Sequence, residues 1–191
     1  MTGLLCYCRA GFEPELAAEL TALAAEAGHP GYARTERGSG HVVFACDSAT
    51  ALSQALPWRE LIFARQKLSL LAELRGLDPK DRITPILAAL GADSAGRGPP
   101  YGMLLVEHPD SDAGKPLAGL ARAFANALRP ALRKARLLSG SEDAALPRLH
   151  VFFVAGDHAY VAQGDPGDSS PWPLGIPRLR LHADAPSRSA L

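Results

Sequence analysis

The spacing of apolar residues changes several times along the chain, and each change marks an element. Leu4 to Cys8 is an apolar run that predicts a strand. Gly11 breaks it, and Phe12, Leu16, Leu20 and Leu23 then recur at helical spacing, with Glu13, Glu15, Glu19 and Glu26 distributed among them. Pro14 suits a first helical turn, Glu13 and Glu15 suit the positive end of the helix dipole, and Gly28 supplies a stop. Tyr32 to Glu36 and His41 to Cys46 predict two strands around the turn Gly38-Ser39-Gly40. A short helix follows from an Asp47 or Ser48 cap to Leu56, Pro57-Trp58 ends it, and Ile62 to Leu74 predicts a fourth strand. The order β-α-β-β-α-β over residues 1–75 is that of a ferredoxin-like domain.

The second half, residues 76–174, repeats the alternation of helix and strand. Asp78 is a candidate helix cap with Pro79 at the first position, and Ile83, Ile86, Leu87 and Leu90 carry the helix to Gly91. Gly96 to Pro100 has the chemistry of a loop, and Met103 to Glu107 that of a strand. A helical pattern runs from Lys115 to Leu138. The runs Leu149–Val154 and His158–Gln163 flank Gly156-Asp157 and predict a hairpin. Asp165 to Pro173 is a Pro/Gly/Ser/Asp loop. Residues 175–191 hold Arg178, Arg180 and Arg188 among prolines and small residues, which excludes a continuous helix and suits a basic connector or a frayed tail.

Composition adds a core and a local charge pattern. Apolar residues make up 47% of 191, enough for one domain or two small ones. The formal net charge is zero, so nothing global points to nucleic acid or membrane, but the charges are segregated. Residues 1–31 hold one Arg and four Glu, residues 115–138 hold six basic residues and no acid, and residues 139–171 hold one Arg and five acids. Charges act over about a Debye length, roughly 10 Å, so the local sign decides binding. Cys6, Cys8 and Cys46 have no framework spacing and fit a reducing cytoplasm, with Cys6 and Cys8 as small core residues on one strand face. No signal peptide and no membrane-spanning run is expected.

The segment 115–138 carries the chemistry. At about 100° per residue, Leu117, Leu120, Phe124, Leu128, Ala131 and Ala135 fall on one side, and Arg122, Asn126, Arg129, Arg133 and Arg136 on the other. Aligned guanidiniums, with Lys134 nearby, make a track for a phosphate backbone; the same row also suits a solvated helix face. Pro130 removes one helical hydrogen bond and is a site for a kink. Arg65 and Lys67 alternate on the fourth strand and extend the candidate surface, while Arg9 reads as a loop charge. No glycine-rich nucleotide loop, paired histidine motif or nucleophile elbow is present, so no catalytic, cofactor or metal residue is assigned.

Six runs, in order along nearly the whole chain, resemble the N-terminal half of the bacterial large-subunit (23S) rRNA cytidine 2′-O-methyltransferases, the RlmM family. They are Cys8-Arg9-Ala10-Gly11-Phe12-Glu13, Leu61-Ile62-Phe63-Ala64-Arg65-Gln66, Asp81-Arg82-Ile83-Thr84-Pro85-Ile86, His150-Val151-Phe152-Phe153-Val154-Ala155, Gly175-Ile176-Pro177-Arg178-Leu179 and Ala183-Asp184-Ala185-Pro186-Ser187-Arg188-Ser189. The resemblance implies an α+β fold: a ferredoxin-like domain (1–75), an α/β THUMP RNA-binding domain (76–174) and a connector (175–191) to a methyltransferase domain. It implies S-adenosylmethionine as the cofactor of the full-length parent, with the catalytic set outside this chain. It further implies 23S rRNA as partner, a methyltransferase domain in cis, no DNA, no membrane and a cytoplasmic location. The RNA-binding candidates are Arg65, Lys67, Arg122, Arg129, Arg133, Lys134, Arg136, Arg178, Arg180 and Arg188, from charge pattern rather than a family motif. Two other readings remain open: a module that orients or dimerises a catalytic domain, and a THUMP module of a tRNA-modifying enzyme.

Overall fold

The computed structural model describes residues 1–91 and 100–177. It contains β1 (Gly3–Tyr7), α1 (Glu13–Glu26), β2 (Tyr32–Arg34), β3 (His41–Ala45), α2 (Ala49–Ala55), β4 (Gln66–Arg75), α3 (Ile83–Ala89), β5 (Met103–Glu107), α4 (Ala118–Lys134), β6 (Arg148–Ala155) and β7 (His158–Gly164). The fold is mixed α+β. The seven strands form one sheet in the order β2-β3-β1-β4-β7-β6-β5. Neighbours are antiparallel except β5 and β6, which are parallel. The order β4-β1-β3-β2 within it is the ferredoxin-like arrangement.

The two halves of the sequence share β4. Its first half, Gln66–Leu70, pairs with β1, and its second, Ser69–Arg75, pairs with β7. The register shifts between Leu70 and Ala72, so a bulge at Leu71 re-aims the strand between the two pairings.

All four helices cover one face. Leu4, Cys6, Val42 and Phe44 pack under α1 and α2 with Leu16, Leu20 and Leu52. Leu149, Val151, Phe153, Ala159 and Val161 pack under α3 and α4 with Ile86, Phe124, Leu128 and Leu132. Residues of the other parity, Leu5, Tyr7, Val43, Leu68, Leu70, Phe152, Tyr160 and Ala162, line the opposite face. That face is concave. Tyr7 on β1 and Phe152 on β6 are three strands apart, nominally about 14 Å, yet their rings stack with centroids at 4.4 Å.

Three boundaries differ from the sequence reading. The fourth strand begins at Gln66, not Ile62, because the Glu19 carboxylate accepts the N–H groups of Ile62 and Phe63 and holds them out of the ladder. α3 begins at Ile83, after a turn in which Asp81 accepts the Thr84 N–H. α4 ends at Lys134, with Arg136 at a positive φ of 57°, and it runs through Pro130 without ending there. Most of the loop expected at Gly96–Pro100 and all three arginines of the connector, Arg178, Arg180 and Arg188, lie outside the described residues.

Candidate nucleic-acid interface

The amphipathic pattern of α4 folds as its charges require. Ala121, Phe124, Leu128 and Leu132 are buried against the sheet, with the Phe124 ring edge-on to Phe153 at 5.2 Å. Arg122, Arg133, Lys134 and Arg136 are exposed and Arg129 is half-buried. Among the described residues none of these five makes an ion pair, and Arg133 alone makes a side-chain hydrogen bond, from its Nε to the Ser139 carbonyl at 3.4 Å. Arg133 and Lys134 stand in the last turn, where the helix dipole favours cations. The face is a row of cations held on a rigid element, with its hydrogen-bonding capacity largely unspent.

Lys67 does not belong to this surface. It is 2% exposed on the helical side of β4, and its ammonium donates to the carbonyls of Ser53 and Leu56 and to Asp168 at 2.5–2.8 Å. A cation so enclosed cannot reach a phosphate, and the expected alternation with Arg65 fails because Arg65 precedes the strand. Arg65 is half-buried and paired with Asp110 at 2.8 Å. Arg9 is exposed, its guanidinium 6.0 Å from the centre of the Phe12 ring.

Lys67 instead fastens a strap. Residues 165–175 are tied across the sheet by the Lys67–Asp168 pair, by the Trp58 N–H to Asp168, by Gln66 to the Ser170 backbone in both directions, and by Arg148 to Ser169. The deepest tie is Glu107, which is buried on β5. It accepts the Tyr7 hydroxyl at 2.9 Å, His150 Nδ1 at 2.9 Å and the Leu174 N–H at 2.7 Å. Burial pushes its carboxyl upward, but His150, Leu174 and Tyr7 outweigh that and hold it below its ordinary value. Leu174 and Gly175, at φ 56° and 68°, turn the chain away immediately afterwards.

A second constellation, absent from the sequence reading, lies at the concave face beside the β2–β3 hairpin. It is a cleft of about 460 Å³. Its floor is ringed: His41 and His158 lie 5.7 and 5.0 Å from Tyr160 by centroids. Its rim carries Arg34, Arg37 and Arg75, and its far wall is the loop Pro109–Gly114 that leads into α4. Glu73 beneath takes Arg34, Arg75 and His158 at 2.7–3.0 Å. Burial raises the Glu73 carboxyl, but the two guanidiniums override it and bring it down to about 2. Burial also lowers His41, which therefore stands neutral, with Nδ1 on the Ser39 carbonyl at 3.1 Å. The histidines are far apart in sequence, and only the antiparallel register of β3, β1, β4 and β7 gathers two of them.

The hairpin wall is pinned from behind. Glu13, buried at the start of α1, accepts the N–H groups of Gly11, Gly38 and Gly40 at 2.7–3.1 Å. All three glycines have positive φ, which places their N–H groups around one carboxylate. Glu13 thus stands in the first turn of α1, as its position suggested, and also staples two loops together.

Two of the three thiols, Cys6 and Cys8, are shielded. Cys6 and Cys8 are buried and burial pushes both up to about 12. Iodoacetamide at pH 8 is expected to leave both unmodified in the folded protein and to label them after denaturation, as intact mass will report. Among the described residues no group of three His, Cys, Asp or Glu could hold a metal ion, and no helix is long and apolar enough to cross a membrane.

Comparison with known proteins assigns the chain to a class. The model described as the RlmM ferredoxin-like domain matches residues 1–68, and the model of ribosomal RNA large subunit methyltransferase M, N-terminal, matches residues 81–164. The fold is like that of a possible methylase from Clostridium difficile 630, with a TM-score of 0.53 at 18% identity, covering 88% of this chain and 42% of that one. A predicted N6-adenine-specific DNA methylase from Listeria monocytogenes gives 0.52 at 17%, covering 85% and 40%. The class is a methyltransferase-associated N-terminal region. Curated relatives named ribosomal RNA large subunit methyltransferase M, from Xanthomonas campestris pv. campestris strain B100 and Xanthomonas oryzae pv. oryzae strain KACC10331, are 69% and 66% identical over all 191 residues. The chain belongs to the ribosomal RNA large subunit methyltransferase M family, and it spans about half the length (54%) of these relatives.

Proposed function

We propose that this chain captures and orients large-subunit rRNA for a methyltransferase domain in cis, the whole acting as a cytoplasmic 23S rRNA cytidine 2′-O-methyltransferase. In this reading residues 1–75 form the ferredoxin-like part, 76–174 a THUMP RNA-binding part, and 175–191 the connector. The single observation that carries it is the α4 face: Arg122, Arg129 and Arg133 on one side of a helix without acids, with Arg136 just beyond its end, none of them ion-paired among the described residues. Folded RNA is recognised through shape, phosphates and 2′-hydroxyls, which such a face suits. S-adenosylmethionine would serve the methyltransferase domain. The described residues offer no glycine-rich turn from strand to helix to cradle it, and no residue here is assigned to it.

Fluorescence anisotropy with a 23S rRNA fragment tests the reading. With about four phosphates neutralised, log K is expected to fall against log salt with a slope of roughly −3 to −4. Arg129→Glu with Arg133→Glu is expected to weaken binding by about tenfold or more at low salt. Unchanged affinity sinks the RNA reading and favours a module that orients a catalytic domain, for which Ile62, 82% exposed beside Phe12 and Phe63, offers a contact surface. Preferential competition by tRNA would move the protein to the tRNA-modifying class.

A further inference from the structure

We propose that the cleft beside the β2–β3 hairpin receives one unpaired ribonucleotide of the bound RNA, its base against the ringed floor and its phosphate on the arginine rim. The inference rests on the RNA reading above and goes beyond it, because it assigns a site on the concave face, away from the exposed side of α4.

Four observations carry it. The cleft is about 460 Å³, within the roughly 300–1,000 Å³ typical of small-ligand sites. Its floor brings His41, His158 and Tyr160 together, and unpaired bases in RNA are held by stacking on such rings. Of the three rim arginines, Arg34 and Arg75 are committed to Glu73, while Arg37 is exposed and has no ion pair or hydrogen bond among the described residues. With Glu36 also on the rim, the local charge is only mildly positive, so the cleft suits a single nucleotide rather than a run of phosphates. Finally, neutral His41 spends Nδ1 on the Ser39 carbonyl, which leaves Nε2 as a hydrogen-bond acceptor without a partner among the described residues. Adenine, cytosine and guanine each carry an exocyclic amino group that such an acceptor reads; uracil does not.

The position is also consistent with α4. The Pro109–Gly114 wall is followed, after one short turn, by the first residue of the basic helix. An RNA whose stem lies along α4 can therefore deliver an adjoining single-stranded nucleotide to the cleft.

The test compares two labelled RNAs, a hairpin with a single-stranded overhang and the same hairpin blunt. They are titrated against the chain and two variants: Arg37→Glu, an exposed and unpaired position, and Ala155→Trp, which fills the cleft without changing charge. Thermal melts confirm that both variants fold. Each variant is expected to weaken the overhang RNA about tenfold and the blunt RNA by no more than about twofold. Equal affinity of wild type and Arg37→Glu for the overhang RNA overturns the cleft assignment while leaving the α4 reading intact. Absence of binding by either RNA overturns both. Adenosine and cytidine monophosphates form a third arm: if either alone binds as tightly as the overhang RNA, the cleft belongs to a free nucleotide and its placement on the RNA path fails.

Discussion

Glu107→Ala is expected to destabilise the folded chain by about 3–5 kcal/mol, measured by denaturant unfolding. The substitution removes one acceptor and strands three donors at once: the Tyr7 hydroxyl, His150 Nδ1–H and the Leu174 N–H. Water does not stand ready to replace it at the imidazole, since His150 is 0% exposed. The loss should be local as well as global. With Leu174 released, amide exchange is expected to rise across residues 165–175 more than in β1 or β3. Uniform exchange would show that the strap is held by its other ties and that Glu107 matters to packing alone.

Glu13→Ala is expected to cost about 3 kcal/mol and to loosen the turn at residues 35–40, because three backbone N–H groups lose a charged acceptor. Burial raises this carboxyl, yet the bonds from Gly40, Gly11 and Gly38 bring it net below its ordinary value of 4.5. A carboxylate lowered on folding stabilises the protein above its unfolded pKa and loses that contribution as pH falls through its folded one. Glu13, Glu107 and Glu73 all have this sign. Stability is therefore expected to fall below about pH 4.5, with the Glu73 part lost as pH approaches about 2. Glu13→Ala should show a shallower acid slope than wild type. An identical slope would mean that Glu13 has the same proton affinity folded and unfolded. Glu13→Gln keeps an acceptor oxygen and is expected to lose less than alanine does.

Periodicity made the elements legible and left the polar interior hidden. The run Leu4–Cys8, the spacing of Phe12 to Leu23 and the hairpin around Gly156-Asp157 located their strands and helix to within a residue or two. The amphipathic face of α4 was equally clear, since hydrophobic burial and charge exposure obey the same 100° rule. The roles of Glu13, Glu19, Lys67 and Glu107 were not legible. Each is set by a partner 25 to 101 positions away in the chain, and no local pattern encodes that. Lys67 was read as an outward charge because strand alternation gives the face but not what covers it. The cleft escaped for the same reason: Arg34, His41, Arg75 and His158 converge only once β4 joins the two halves.

The shared strand has a consequence during synthesis. The second half of β4 leaves the ribosome some 80 residues before its partner β7. At roughly 5–20 residues per second, that edge waits on the order of 5–15 seconds without its ladder. A bare strand edge invites pairing with other nascent chains. The waiting stretch, Leu71 to Arg75, ends in Glu73 and Arg75 and is followed by Gly76, and these interrupt what would otherwise be a continuous apolar strand. Glu73, which later lies beneath the cleft, and Arg75, on its rim, are charges of the kind that discourage such edge-to-edge pairing.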